Sequence, residues 1–395
     1  VKATGWVSFF TDLGSEIVYP MLPQFVIGTL RAPKAWLGLM EGLAEGTPAI
    51  IRYFSGRLAD RVKNRKWLIF AGYGISSVAK PFIGLAKFAA LALAPLIVTL
   101  LRVVDKIGKG IRTAPRDALV ADYAEKERGR AFGFQRAMDH AGAVAGGLAA
   151  FLLLGLLKLD IAVAIALSAV PGVFALLTIL LFVREKAGRS PTTGERGATG
   201  AAAGGLSRTY YAYLVAVVLF AMANSSDAFL LVRAQEMGIQ AVLLPLAWSL
   251  LHVVKTITSY AGGGLSDRVG RRPLLLAGWV LYGAVYTGFA SASGAAAGWW
   301  LFGAYGVFFG LTEGVAKAFV ADMVPEGARG AAYGLLGMME GLLLIPSSLL
   351  AGWLWDLTGD GQVPLSLNAL FALAAALWLA LFVRAPARPG TERSA

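Results

Sequence analysis

The 395-residue chain has no cysteine and only two histidines, His140 and His252. That excludes a disulfide framework, a thiolate nucleophile and a thiolate metal site, and two histidines are too few for a metal cluster. Charge is scarce as well: 15% of the residues are Asp, Glu, Lys or Arg, against about 25% in a soluble globular chain. So few charges cannot cover a water-facing surface. No phosphate-binding loop of the G-x-x-x-x-G-K-[ST] type occurs, which argues against ATP hydrolysis. A cleavable leader is not expected, because the first apolar stretch carries Asp12 and Glu16 and has no A-x-A-like end.

Apolar residues fill the chain instead, at 57% of the total and a mean hydropathy of +0.65. They come in long runs, and a membrane-spanning helix needs about 20 such residues. Reading apolar windows and their punctuation gives twelve spans: 3–30, 35–57, 67–87, 92–117, 129–155, 160–183, 210–231, 240–262, 273–292, 296–320, 331–354 and 364–384. The expected fold is therefore an all-α polytopic membrane protein with twelve transmembrane helices. Its links alternate in charge. Arg57, Arg61, Lys63, Arg65 and Lys66 follow the second span, Lys126, Arg128 and Arg130 the fourth, and Arg268, Arg271 and Arg272 the eighth. The intervening links hold few basic residues. Because Lys and Arg stay on the cytoplasmic side, both termini are expected inside a cell (inner) membrane. The net charge of +12 then reflects topology, and no nucleic-acid partner is expected.

Residues 185–209 are rich in Gly, Ser, Thr and Ala and lack an apolar period, as a flexible cytoplasmic linker does. This divides the chain into an N-terminal six-helix bundle, 1–184, and a C-terminal one, 210–395. The two are related. Gly56-Arg-Leu-Ala-Asp60-Arg61 recurs as Gly263-Gly-Leu-Ser-Asp267-Arg268, and Val120-Ala-Asp122 recurs as Val320-Ala-Asp322. Ser15-Glu16 in the first span has a counterpart in Ser226-Asp227 of the seventh. Transporters built from such repeats bind substrate between the halves, near mid-membrane.

The loops Gly56–Lys66 (G-R-L-A-D-R-V-K-N-R-K) and Gly263–Pro273 (G-G-L-S-D-R-V-G-R-R-P) resemble the signature loop of the major facilitator superfamily, at the expected place in both halves. Lys63 stands where the pattern usually has the glycine that the second copy keeps as Gly270. Gly56 and Gly263 allow close helix approach. The resemblance implies a conformational latch made by Asp60, Arg61, Arg65, Asp267, Arg268 and Arg272. Arg102 is similar to the arginine of the family's second motif, with Asp105 where glutamine is common and a glycine kept at Gly108. The fifth span resembles the family's antiporter motif at Gly133, Gly142 and Gly146, but has Gly147 at the proline position and Ala150-Phe151 for the final glycine pair. Close packing of a glycine-rich helix would need only the same small-residue spacing.

Ionisable groups at membrane depth cost several kcal/mol unless they face protein or a wet cavity. On the fourth span Arg102, Asp105, Lys106, Lys109, Arg112, Arg116 and Asp117 fall within an arc of about 140°, while Val103, Val104, Ile107 and Ile111 take the other side. This predicts a charged stripe turned inward. Glu41, Glu45 and Arg52 share a face of the second span, and Arg136 lies with Asp139 and His140 on the fifth. The second half is sparser, with Asp227, His252, Lys255, Glu313, Lys317 and Glu340. Arg102, Asp105, Lys106, Lys109, Arg112, Arg136, Glu41, Glu45, Asp227, His252 and Lys255 are the candidate cavity residues. Asp12, Glu16, Asp139, His140 and Glu340 are the candidate proton carriers. The near balance of acids and bases equally allows pairing that only fixes helix packing. Glu313 and Lys317, at i,i+4, are expected to form a local pair, and grip on the substrate should be skewed towards spans one, two, four and five.

The resemblance implies a secondary active transporter that works by alternating access, as a monomer and without a cofactor. The function expected is proton-coupled antiport: efflux of a siderophore-like compound, organic anion or drug. Proton-coupled uptake of an organic anion is the alternative. A channel is disfavoured by the duplicated latch loops. A membrane enzyme would need a nucleophile or metal set beside Asp139 and His140, and none is visible.

Overall fold

The computed structural model describes residues 1–62, 64–123, 128–184, 206–325 and 328–384. Lys63 and most of the expected linker, 185–205, lie outside them. All regular structure among the described residues is helical.

The first span is α1 (Lys2–Val18), continued by a 3-10 turn at Tyr19–Met21 and a π turn at Gln24–Thr29. Pro20 and Pro23 account for the change of winding, since neither can donate a backbone hydrogen bond. There follow α2 (Lys34–Arg61), α3 (Arg65–Leu85), α4 (Ala94–Tyr123) and α5 (Arg128–Phe151). The sixth span is split into α6 (Ile161–Ala166) and α7 (Ala169–Phe182). The seventh is also split, into α8 (Arg208–Ala223) and α9 (Ala228–Glu236), which are bent by 41° at the break. Next come α10 (Leu244–Val269), α11 (Arg271–Ser291), α12 (Ala295–Met323), α13 (Arg329–Thr358) and α14 (Gln362–Phe382). Helices α2, α4, α10, α12 and α13 run several residues past the spans read from hydropathy, because their polar ends remain helical beyond the apolar stretch.

Among the described residues, eight helical spans are long and apolar enough to cross a membrane, and the bent α8–α9 pair makes nine. The three that fall short are the first, second and fourth, which carry Asp12, Glu16, Glu41, Glu45 and the stripe of α4. They can sit at membrane depth only because those side chains face protein or the cavity.

Within the first half α4 lies between α2 and α3, and α1 packs on α5 and α7. Within the second, α10 packs on α12, and α11 on α12 and α14. The halves meet along two seams, α2 with α13 and α5 with α10, which the internal repeat relates to each other. The first seam is tightest away from the duplicated loops. There Asp356 accepts hydrogen bonds from the backbone N–H groups of Lys34 (3.0 Å) and Ala35 (2.8 Å), capping the first turn of α2. Below the cap, Gly38 lies against the carbonyl of Ser348 so closely that a Cβ would overlap it, and one on Gly46 would come 2.7 Å from the carbonyl of Gly341. Towards the loops the seam opens: nothing lies within 4 Å of a Cβ built on Gly330, Gly334 or Gly337 of α13.

Candidate functional site

The divergence of the seams leaves a cavity of about 580 Å³ between the halves, open at the loop end. Its first-half wall is polar apart from the ring of Tyr19 and includes Glu16, Glu45, Arg102, Asp105, Lys106 and Lys109. Close packing of α4 fixes that wall. A Cβ on Gly72 of α3 would lie 2.7 Å from the Gly108 carbonyl, and one on Gly108 would lie 2.5 Å from the Gly72 carbonyl. No larger residue fits at either position without separating the helices.

Behind the wall lies a buried ion network. Arg102 donates to both oxygens of Glu41, from Nε at 3.0 Å and Nη2 at 2.9 Å. Glu41 has no solvent exposure at all, so it belongs behind the wall and not on it. Asp105 is 3.6 Å from Arg102 and 3.7 Å from Lys80 of α3. Lys106 is hydrogen-bonded to Glu45. Arg112 is likewise buried, donating to the hydroxyl of Ser76 at 2.8 Å and stacking over the Tyr73 ring at 4.3 Å. Arg116 pairs with Asp117 at 2.9 Å and reaches Ser8 at 3.2 Å. Of the cations expected on the stripe, only Lys109 faces the cavity with no hydrogen bond or ion pair among the described residues.

The second half supplies more of the lining than the sequence suggested. Asn224, Ser225, Ser226 and Asp227, the break between α8 and α9, all reach the cavity. Side chains from elsewhere answer the backbone groups freed there. Ser347 donates to the Met222 carbonyl (3.1 Å), Tyr282 to that of Ala223 (2.9 Å), and the Ser226 N–H donates to Ser348 (3.0 Å). Tyr305 donates to Asp227 at 2.6 Å. Beside the break stands an aromatic wall. Phe220 and Trp279 stack with centroids 4.8 Å apart at 11°, and Phe308 is 5.8 Å from Phe220. Both halves thus line the cavity, the second more fully than the expected skew towards the first implied.

Several side-chain contacts among the described residues join the halves around the cavity. Trp248 of α10 donates to Glu16 at 2.7 Å, with His252 Nε2 4.0 Å from the same carboxylate. Tyr19 meets the hydroxyl of Ser226 at 3.5 Å. Glu313 pairs with Arg136 of the other half at 3.1 Å and with Lys255 at 3.0 Å. This overturns the expected local pair of Glu313 with Lys317: helical spacing makes such a pair possible, but two cations from α5 and α10 lie closer. Lys317 and Glu340 remain exposed on the cavity wall. Asp12, Asp139 and His140 are off the wall. Asp139 sits among Asp12, Ser8, Arg116 and Arg136, and His140 near Lys255, Glu313 and His252.

Of the latch residues, the side chains of Asp60, Arg61 and Asp267, and the surroundings of Gly263, lie outside what is described. Gly56 makes an ordinary 3.7 Å approach to Ala114, and Arg268 is exposed at the end of α10. Arg65 pairs with Asp122 at 2.7 Å, tying the start of α3 to the end of α4. The equivalent tie in the second half is made by Arg271, which pairs with Asp322. Arg272 instead donates to the carbonyls of Leu379 (3.4 Å) and Ala380 (2.5 Å). On α5, Gly142 and Gly146 pack against Phe9 and Leu13 of α1, whereas a Cβ on Gly133 would meet nothing within 4 Å. Gly147 abuts Ser249 and Pro245 of α10, which explains why no proline stands there.

The family model described as Major Facilitator Superfamily matches residues 4–316 and 253–395. The chain is 33% identical to an uncharacterized MFS-type transporter of Methanocaldococcus jannaschii, across 91% of this chain and 89% of that one. A shorter match, 31% identical over 34% of this chain and 32% of the other, is to multidrug resistance protein MdtH of Cronobacter sakazakii. Among solved structures, a substituted form of the nucleoside transporter NupG has a TM-score of 0.79 at 14% identity, covering 96% of this chain and 99% of its own. A D-xylose-proton symporter has a TM-score of 0.77 at 15% identity, covering 97% of each chain. At such identities these two structures speak to fold alone.

Proposed function

The chain belongs to the major facilitator superfamily, and from that premise we propose that it exports a small polar or amphiphilic metabolite in exchange for protons. The observation that carries this reading is the cavity itself, lined with ionisable groups, sealed at one end by the α2–α13 seam and open at the other. Basic residues mark the loop end as cytoplasmic, so this conformation faces inward and its solute enters from the cytoplasm. Rocking of the halves about the cavity would bring Gly133, Gly330 and Gly334 into contact and break the Asp356 cap. The linker, residues 185–209, would join the bundles on the cytoplasmic side.

Export is supported by the glycines that α5 shares with the antiporter motif and by the partial similarity to MdtH. Among the candidate carriers, Glu16 is the best placed for the coupling proton. It lines the cavity and accepts a hydrogen bond from Trp248 of the opposite half, so its protonation acts on the contact between the halves. Asp12, Asp139, His140 and Glu340 are the alternatives.

The test is transport by purified protein in lipid vesicles, using solutes that raise its melting temperature. An imposed proton gradient should drive solute opposite to proton flow, and Glu16→Gln should abolish gradient-driven accumulation while leaving the protein folded. Solute moving with protons establishes uptake symport instead. Movement indifferent to the gradient rejects proton coupling.

A further inference from the structure

We propose that the solute held in the cavity is an organic anion with an aromatic body, its negative group on Lys109 and its ring against Phe220 and Trp279. This rests on the cavity being the transport site, as argued above.

The first support is which groups on the wall already have partners. The acids on the wall mostly have donors of their own: Glu45 has Lys106, Glu16 has Trp248, Asp227 has Tyr305, and Glu313 has both Arg136 and Lys255. Asp105 sits between Arg102 and Lys80. Among the described residues of the wall, the ionisable groups with neither a hydrogen bond nor an ion pair are Lys109, Lys317 and Glu340. Lys317 and Glu340 face one another, which leaves Lys109 as the wall cation without a partner at ion-pair distance among the described residues, Glu45 and Asp12 lying farther off. An anion is the ligand that supplies that partner.

The second support is that Lys109 is held in place. Its neighbours on either side are glycines that clamp α4 between two helices. A Cβ on Gly108 would come 2.7 Å from Ser76 Oγ of α3, and one on Gly110 would come 2.6 Å from Ile51 Cβ of α2. With contacts so close on both flanks, α4 cannot turn Lys109 away from the cavity without unpacking. An ammonium at membrane depth is costly unless water or a counter-charge meets it. The clamp keeps it where a solute can supply that charge.

The third support is the chemistry of the other half. The stack of Phe220 on Trp279, with Phe308 beside it, presents aromatic surface on the wall contributed by the second half, whereas the first-half wall is polar apart from the ring of Tyr19. A ligand that meets both walls has a charged end and a ring, and ring–ring contacts favour a planar body. Because it touches both halves, its occupancy biases the equilibrium between their arrangements, as a transported solute must.

The test uses charge-matched probes on the full chain in detergent: 2-naphthoate, 2-naphthamide, 2-naphthylmethylammonium and cyclohexanecarboxylate, titrated by thermal shift and tryptophan fluorescence. Naphthoate should bind at least about tenfold more tightly than the other three. Lys109→Gln should lose about tenfold or more of that affinity, Lys109→Arg should retain most of it, and Phe220→Leu should weaken naphthoate but not cyclohexanecarboxylate. Arg208→Gln, outside the cavity, should change nothing. Amide or ammonium binding as tightly as the acid, unchanged binding in a folded Lys109→Gln variant, or no binding by any probe would each overturn the proposal. No gradient is present in this measurement. A failure here therefore rejects the substrate class alone, and a failure of the vesicle assay rejects the export reading alone.

Discussion

Replacing Glu41 with Gln removes one charge from the tightest part of the first-half network. Glu41 is wholly buried and Arg102 is 4% exposed, and they share two hydrogen bonds of 2.9 and 3.0 Å. Without Glu41, Arg102 keeps only acids shared with other cations: Asp105 at 3.6 Å, which Lys80 also holds at 3.7 Å, and Glu45 at 3.9 Å, which Lys106 also holds. Removing one partner of a buried ion pair costs about 3–5 kcal/mol, because the remaining charge stays buried without an answer. The residual help from these acids puts Glu41→Gln near the lower end, about 3 kcal/mol. Arg102→Met strands both Glu41 and part of Asp105 and should cost more. The double variant leaves neither member of the pair charged, so its cost should fall well below the sum of the two singles. Reversible unfolding in mixed micelles with rising dodecyl sulfate fraction gives these free energies. Single variants costing less than about 1 kcal/mol, the range of exposed pairs, or a double variant equal to the sum, would show that Glu41 and Arg102 do not act as a buried pair.

Other perturbations test different parts of the structure. Gly38→Val places a side chain on the Ser348 carbonyl and should lower stability by about 1–3 kcal/mol, as overpacking does; an unchanged melting temperature would contradict the tight seam. Asp160, in the link before α6, accepts from Lys87 and from the Ala162 N–H at 2.9 Å, and the Lys87 hydrogen bond, ahead of the backbone one, holds its carboxyl below the usual carboxylate range. Its contribution is therefore complete above the unfolded value of about 4 and lost as pH falls through the lower folded value. Being exposed, it should be worth under about 1 kcal/mol. Melting curves of Asp160→Asn should show a flatter acid limb than wild type, and coincident limbs would sink this assignment.

The number of spans and the duplicated loops were legible because both are local: a run of apolar residues has a length, and a loop motif has a sequence. The stripe on α4 was legible for the same reason, since spacing alone puts Arg102, Asp105, Lys106 and Lys109 in one arc, and all four reach the cavity. What spacing cannot supply is the partner. Glu313 sits one turn from Lys317 yet pairs with Arg136 and Lys255, because those cations arrive from other helices. Arg271 and Arg272 are adjacent, and which of them meets Asp322 depends on where α12 ends. The aromatic wall was hidden for a related reason. By residue type Trp279, 4% exposed, cannot be told from Trp300, 82% exposed at the protein surface. The break in the seventh span did leave a signal, the polar tetrad Asn224-Ser-Ser-Asp227 inside an apolar run, which the hydropathy window smoothed over.

Because the chain has no cysteine, spin labels can be placed without removing any native thiol. Arg31 with Gln240 spans the halves at the sealed end, and Leu58 with Gly334 spans them at the loop end. Electron–electron distances for these two pairs, measured in lipid with and without bound solute and at acid and neutral pH, test the rocking of the two bundles most directly. Rocking requires opposed changes: whenever the Leu58–Gly334 distance shortens, the Arg31–Gln240 distance lengthens. Both distances staying fixed under every condition, or both ends opening together, would contradict it.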